Sequence, residues 1–309
     1  MGFSMMRLGF STNAYTNGQW TLEMAASRIA KAGYGGVTIL ADEPLLWLSA
    51  MDFEERSAYA ESLRKLLDKL GLYVTNVNGF TAQGHYGKQK GAPGQKFGPI
   101  FSDADLHLRA WKVRYTKLTI DFAARIGDAK NVSIGSGYAP RDVSSPEAWR
   151  WMVNAIRECV GYAEDQDVRL NIEPEPGLLV GNVEDAERLL SEIDSSHFGV
   201  NFDTGHFYAA GDDVPKAIRR LWPRIYSVDL EDIRATDIGR VHPDTGLPVH
   251  EHEVPGDGDM PLREILETFR DVGYQGWYTV ELYNHAHHPE EVTDASFKKL
   301  KPLFEEVAQ

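Results

Sequence analysis

The chain has 309 residues, 42% hydrophobic and 25% charged, enough to bury a large core and typical of a globular protein. Its 46 acidic against 32 basic side chains leave a formal charge of −14; that field repels a phosphate backbone, and no Lys/Arg run offsets it locally, so nucleic acid is not an expected partner. A single cysteine, Cys159, excludes an internal disulfide, no stretch reaches the ~20 apolar residues of a membrane-spanning helix, and Met1 to Arg7 lack the apolar run of a signal peptide, so a cytoplasmic setting is expected.

Leu8 to Asn13 reads as a first strand; Thr21 then starts a helix over Leu22 to Ala32, whose apolar positions recur at three and four and which stops at Gly33. Gly36 to Asp42 is a second strand ending in an acid, Phe53 to Leu70 a helix closed by Gly71, and Leu72 to Asn78 the third strand. Phe80 to Ser102 carries His85 and Tyr86; it exceeds the about 12–15 residues of ordinary connections and reads as a lid or substrate loop. Asp103 or Asp105 caps a long helix to Ile126 that carries Trp111, and Asn131 to Gly137 is strand four. Pro146 opens a helix running to Tyr162.

Val168 to Glu173 is strand five, broken by Pro174-Glu175-Pro176, and Asn182 caps a helix over Val183 to Ile193. Strand six, Val200-Asn201-Phe202-Asp203, leads into Thr204-Gly205-His206, with a helix from about Val214 to Leu221 beyond it. Strand seven, Ile225 to Asp232, precedes a second long loop, Ile233 to Gly258, that holds His242, His250 and His252. Asp259 is expected to cap the helix Leu262 to Val272, Gly276 to Leu282 is strand eight, and Pro289 to Val307 the closing helix. Strict alternation of eight strands with eight helices predicts a parallel sheet closed into one (β/α)8 TIM barrel domain over 1–309. An open doubly wound sheet would carry a glycine-rich phosphate turn after strand one, and Phe10 to Tyr15 has none.

In such a barrel the C-terminal strand ends form the functional face. The exits of strands five to eight present Glu173, Asp203, Asp229 (with Glu231 and Asp232) and Glu281. Carboxylates converging on one mouth repel one another and cannot all stay ionised in a dry site, and a divalent cation is the simplest remedy. Oxygen donors favour Mn²⁺ or Mg²⁺, and added histidine moves the preference toward Mn²⁺, Co²⁺ or Zn²⁺; manganese is the expected ion. Taken alone, Asp203 with His206 reads as a helix cap beside a surface histidine, and which strand-seven acid faces inward depends on register.

Leu170 to Pro176, Val200 to His206, His252 to Asp259 and Thr279 to Tyr283 together resemble the xylose isomerase-like TIM barrel superfamily. Within it they are similar to the sugar phosphate isomerase/epimerase group, with its ketose 3-epimerases and inosose-processing enzymes, a relative of endonuclease IV. The resemblance implies a metal held by Glu173, Asp203, a strand-seven histidine and Glu281. Relatives commonly carry His-x-His where this chain has Ser227-Val228-Asp229, which leaves three alternatives: Asp229 as the fourth ligand, a loop histidine (His250 or His252) in its place, or a metal held by fewer protein ligands.

The group's chemistry implies a metal-dependent isomerase or epimerase acting on a ketose or related keto-carbohydrate. Glu173 and Glu281 act as the acid/base pair through a metal-stabilised enediolate. His206, His252, His85, Glu175 and Trp111 are the expected substrate contacts. The same enediolate also serves a lyase or dehydratase on keto-sugars, keto-inositols or 3-keto-glycosides, with His242, His250, His252, His285, His287 and His288 as candidate general acids. Abasic-site DNA cleavage is the third reading and calls for a basic groove. An unphosphorylated carbohydrate is favoured, because no lysine-rich phosphate pocket is evident, and a homo-oligomer is compatible with a barrel of this kind.

Overall fold

A computed structural model describes residues 7–89, 97–241 and 248–308. Eight parallel strands close on themselves in chain order: β1 Arg7–Ser11, β2 Gly36–Leu40, β3 Tyr73–Asn78, β4 Asn131–Gly135, β5 Arg169–Glu173, β6 Phe198–Asp203, β7 Ile225–Leu230 and β8 Trp277–Val280. Outside them lie α1 Leu22–Ala32, α2 Phe53–Leu70, α3 Leu106–Ile126, α4 Ser145–Asp165, α5 Val183–Glu192, α6 Thr204–Ala209, α7 Val214–Leu221, α8 Leu262–Val272 and α9 Pro289–Val307. The barrel is thus the expected one.

Local signals explain most boundaries. Thr21 accepts a hydrogen bond from Met24 N at the start of α1, Asp52 and Glu55 form a reciprocal capping box on α2, and Asn182 accepts from Asp185 N at α5. Gly33, Gly71 and Gly273 end their helices in the left-handed conformation, with φ of 105°, 69° and 85°.

Two readings need correction. Asp259 does not cap α8; its carboxylate instead accepts from Ala235 N at 2.9 Å, tying together the two ends of the loop after β7. The short α6 was also not expected, and it makes nine α-helices among the described residues.

The strands alternate apolar and polar residues, which is unusual for a barrel whose interior is ordinarily filled by branched aliphatics. Leu170, Ile172, Val200, Phe202, Val228, Leu230 and Val280 are buried in the hydrophobic core, and Phe202 meets Phe269 of α8 edge-on at 5.5 Å. The other row faces the barrel axis. Thr38 and Thr75 share a hydroxyl hydrogen bond at 2.9 Å, Thr75 and Thr279 another at 3.2 Å, and Asn76 Nδ2 donates to Ser133 Oγ at 2.9 Å. Following that row toward the C-terminal ends leads from Asn171, Asn201, Ser227 and Thr279 to Glu173, Asp203, Asp229 and Glu281.

Candidate active site

Glu173, Asp203, Asp229 and Glu281 are all buried, and one carboxylate oxygen from each lies within 4.8 Å of the others. Pairing of Asp203 with Asp229 across β6 and β7 fixes the register, so Asp229 takes the inward position. Asp232 is turned away. Its oxygens accept from Ile233 N, Gly256 N and Met260 N at 3.0, 2.8 and 3.0 Å, and so fold the loop after β7 back over the barrel mouth.

Asp203 caps the helix that follows it, as its local sequence context suggests. Oδ1 caps α6 by accepting from His206 N at 2.9 Å, while Oδ2 makes no hydrogen bond among the described residues. Asn201, two residues earlier on the same face, donates from Nδ2 to Glu173 Oε2 and to Asp229 Oδ2, both at 2.7 Å. Ser227 Oγ donates to Asn201 Oδ1 at 2.5 Å, which fixes the amide's orientation. On the far side Asn78 Nδ2 donates to Glu281 Oε1 at 3.3 Å. Sequence alone assigns Asn201, Ser227 and Asn78 no role; for Asn201 and Ser227 the available signal is a polar residue two positions before an acid on the same strand face, and Asn78 has no such signal.

The electrostatics match the crowding. Burial, then Asp229, pushes the Glu173 carboxyl well above the usual range; burial, then Asp229 and Glu173, does the same to Glu281. Asp229 is raised to about 7, by burial first and Asp203 second. His206 moves the other way for an imidazole losing water. Burial opposes its charge, yet Asp203, Glu175 and Glu173 outweigh burial and lift it to about 9.

His206 Nδ1 bonds the Pro174 carbonyl at 2.9 Å, and Nε2 lies 3.1 Å from Glu175 Oε2. A cavity of about 380 Å³ opens above these groups, lined by Glu173, Glu175, His206, His252, Glu281 and Tyr283 on one side and by Asn13, Asp42, Phe80 and Phe97 on the other. Among the described residues, no lysine or arginine lines it. A larger cavity of about 510 Å³, at the opposite end of the barrel between Arg7, Arg169, Tyr226 and Trp277, contains none of the candidate residues.

The remaining candidates divide between the mouth and the surrounding surface. Glu175, His206 and His252 reach the cavity. His85 packs on Trp111 at 4.4 Å, and Trp111 stacks in turn on Trp47 and Tyr115, so this aromatic group stands outside the lining, at the base of the loop after β3. His285 bonds the His252 carbonyl at 2.7 Å, His287 and His288 are exposed, and His242 lies outside the described residues.

Four buried, mutually close carboxylates and an unbonded Asp203 oxygen are a donor set that fits a divalent cation. A family model for xylose isomerase-like TIM barrels matches residues 26–303. The chain belongs to that family. An inosose dehydratase of Clostridium perfringens is 26% identical over 144 residues, covering 45% of this chain and 48% of its own length, so the chain spans about half the length of the curated relatives it matches.

Among solved structures, a D-tagatose 3-epimerase-like protein superposes with a TM-score of 0.72 at 21% identity, covering 98% of both chains. The IOLI protein with a binding zinc atom superposes with a TM-score of 0.72 at 16% identity, over 98% of this chain and 99% of its own. At such identities these two likenesses establish the fold alone.

Proposed function

We propose that the protein is a divalent-metal-dependent isomerase or epimerase of a ketose or related keto-carbohydrate. The observation that carries this reading is the pair Glu173 and Glu281. They enter the same cavity from β5 and from the end of β8, each beside Asp229 and each held by one amide, Asn201 or Asn78. A divalent cation bound by Glu173, Asp203, Asp229 and Glu281 supplies charge to polarise a substrate carbonyl. One glutamate removes the proton from the carbon next to that carbonyl and the electron pair moves onto oxygen as the enediolate forms. The other returns a proton on the opposite face. His206 and Glu175 are placed to bind substrate hydroxyls, and His252 to close the wall beside Tyr283. His85 and Trp111 act through the loop they anchor.

The cavity's lack of lysine and arginine among its described lining favours an unphosphorylated substrate and, with the charge of −14, disfavours DNA cleavage. Elimination is the second reading, supported by the inosose dehydratases among the relatives. It starts from the same proton removal and ends by expelling a group beta to the carbonyl.

Incubating candidate ketoses and keto-inositols with manganese-loaded protein in deuterated water separates the two. Deuterium at the carbon next to the carbonyl with no released group supports epimerisation, and stoichiometric loss of water supports elimination. Unaltered turnover in metal-loaded Glu173→Gln would sink the paired-glutamate scheme.

A further inference from the structure

The end of the barrel opposite the acids holds the cavity of about 510 Å³, and its chemistry is the reverse of the mouth's. Arg7, Lys130 and Arg169 line it, against the carboxylates Asp128 and Asp167. Both acids are already matched. Asp128 accepts from Arg64 at 2.8 Å and from Val74 N at 2.7 Å, and Asp167 accepts from Lys130 Nζ at 2.8 Å. That leaves two cations over, since neither Arg7 nor Arg169 makes a hydrogen bond or an ion pair among the described residues. Each lies instead over a ring, Arg7 5.8 Å from the centre of Trp277 and Arg169 4.6 Å from that of Tyr226. Contact with a ring face uses a guanidinium's charge but none of its N–H donors, which remain for an anion.

Strand order sets the two arginines apart. They are the first residues of β1 and β5, which lie on opposite sides of a closed eight-stranded barrel. Tyr73, at the start of β3, stands between them: burial first, then Asp128, raises its hydroxyl, and Arg7 and Arg169 both oppose that rise, so one ring feels both charges. The floor of the cavity is polar and buried, with Thr75, Thr279 and Asn131 at most 4% exposed. Asn131 Nδ2 donates to the Thr75 and Tyr226 carbonyls, both at 3.2 Å, while its Oδ1 has no hydrogen-bond partner among the described residues. A buried amide oxygen without a donor carries a desolvation cost that a ligand hydroxyl removes.

We propose that this cavity binds a small hydroxylated molecule acidic at both ends, one acidic group meeting Arg7, the other Arg169, and a hydroxyl donating to Asn131 Oδ1. Its volume falls within the roughly 300–1,000 Å³ of small-molecule sites. Guanidinium groups recognise phosphate and carboxylate alike, so the ligand class is a sugar bisphosphate or a hydroxylated dicarboxylate. The mouth has the opposite preference, with no lysine or arginine in its described lining and four clustered carboxylates. The competing account is a solvent-filled hollow in which the two arginines do no more than cover aromatic rings.

Isothermal titration of the full chain as purified decides between them, with fructose 1,6-bisphosphate and tartrate as two-ended probes and fructose and inorganic phosphate as controls. The expected result is one equivalent of a two-ended probe, bound at least about 10-fold more tightly than either control, and the probe that binds identifies the acidic group. Arg7→Gln and Arg169→Gln should each weaken that binding by about 10–100-fold, the range of a charge-assisted hydrogen bond. Both arginines are exposed, so these variants keep the fold, which circular dichroism checks. Three results overturn the proposal: no binding of either two-ended probe, binding no tighter than that of inorganic phosphate, or affinity unchanged in either arginine variant. In the last case the anion is held elsewhere, at a metal in the mouth. Crystals soaked with the bound probe give the same decision, since density between Arg7 and Arg169 supports the site and density confined to the mouth refutes it.

Discussion

Replacing Asn201 with leucine keeps the side chain's approximate volume and removes the amide that joins the two acids. The structure gives the loss directly: two N–H donors, each 2.7 Å from a carboxylate oxygen, disappear, and the Ser227 hydroxyl that donates to the amide oxygen loses its acceptor. Glu173 and Asp229 then repel each other with nothing between them, and their oxygens lose the orientation that leaves one of each for a cation. Outer-shell partners of metal ligands are typically worth about 10–100-fold in affinity, or about 1.4–2.8 kcal/mol.

Isothermal titration of stripped Asn201→Leu with Mn²⁺ should therefore show a dissociation constant raised by ~10–100-fold at unchanged fold, monitored by circular dichroism. Asn201→Asp should do at least as badly, because it adds a carboxylate and removes both donors. Affinity within twofold of the unmodified protein in folded Asn201→Leu would refute the amide's role.

Two further outcomes follow from charges the site buries. In the metal-free chain Asp229, raised from 3.8 to about 7, and Glu173, Glu281 and Glu231, raised in the same sense, hold protons that the unfolded chain releases near pH 4. Their contribution is thus full below that range and is lost as pH rises toward neutrality, and His206, raised from 6.5 to about 9, adds stability that fades as pH climbs through that value. Thermal melts of chelated protein should show Tm falling between about pH 5 and pH 9, with the Tm gain on adding Mn²⁺ growing over the same range; a metal-induced gain independent of pH counts against it.

Lys112, 1% exposed and lowered by burial to about 8, donates to the Gly79 and Phe80 carbonyls at 3.0 and 2.9 Å. Lys112→Met leaves two buried carbonyls unsatisfied at about 1–3 kcal/mol each and loosens the loop that carries Phe80 into the cavity, so urea denaturation should show a clear loss. Unchanged stability would mean that water replaces the ammonium.

Much of this arrangement was legible in the residues. β3, β5 and β6 end at Asn78, Glu173 and Asp203 as the sequence suggests, the other five strands end two residues earlier than expected, and Glu173, Asp203 and Glu281 fall at equivalent exits because a period of two fixes which side chains share a face. Asp203 has two readings, cap and ligand; its Oδ1 caps α6, and its Oδ2 makes no hydrogen bond among the described residues. What escaped depends on contacts distant in sequence. Glu231 looks like a solvated acid past a strand, and only its approach to Gly205, on the neighbouring β6–α6 corner, explains its burial. His250 and His252 were uncertain because they come from a long loop whose path is set by Asp232 gripping backbone amides some 24 and 28 residues away. Asp259 precedes an apolar run, the local signature of a helix cap, whereas the geometry sends it to Ala235.

The polar row inside the barrel also guards alignment during assembly. Strands with apolar side chains on both faces tolerate a slip of one residue, since either face buries equally well. Here a slip of β6 by one position would swing Phe202 into the polar axis and press Asn201 and Asp203 against α8, breaking the hydrogen bonds to Glu173, Asp229 and His206 in one step. The acids that gather at the mouth therefore also have a part in assembly, as an alignment key that rejects misthreaded barrels.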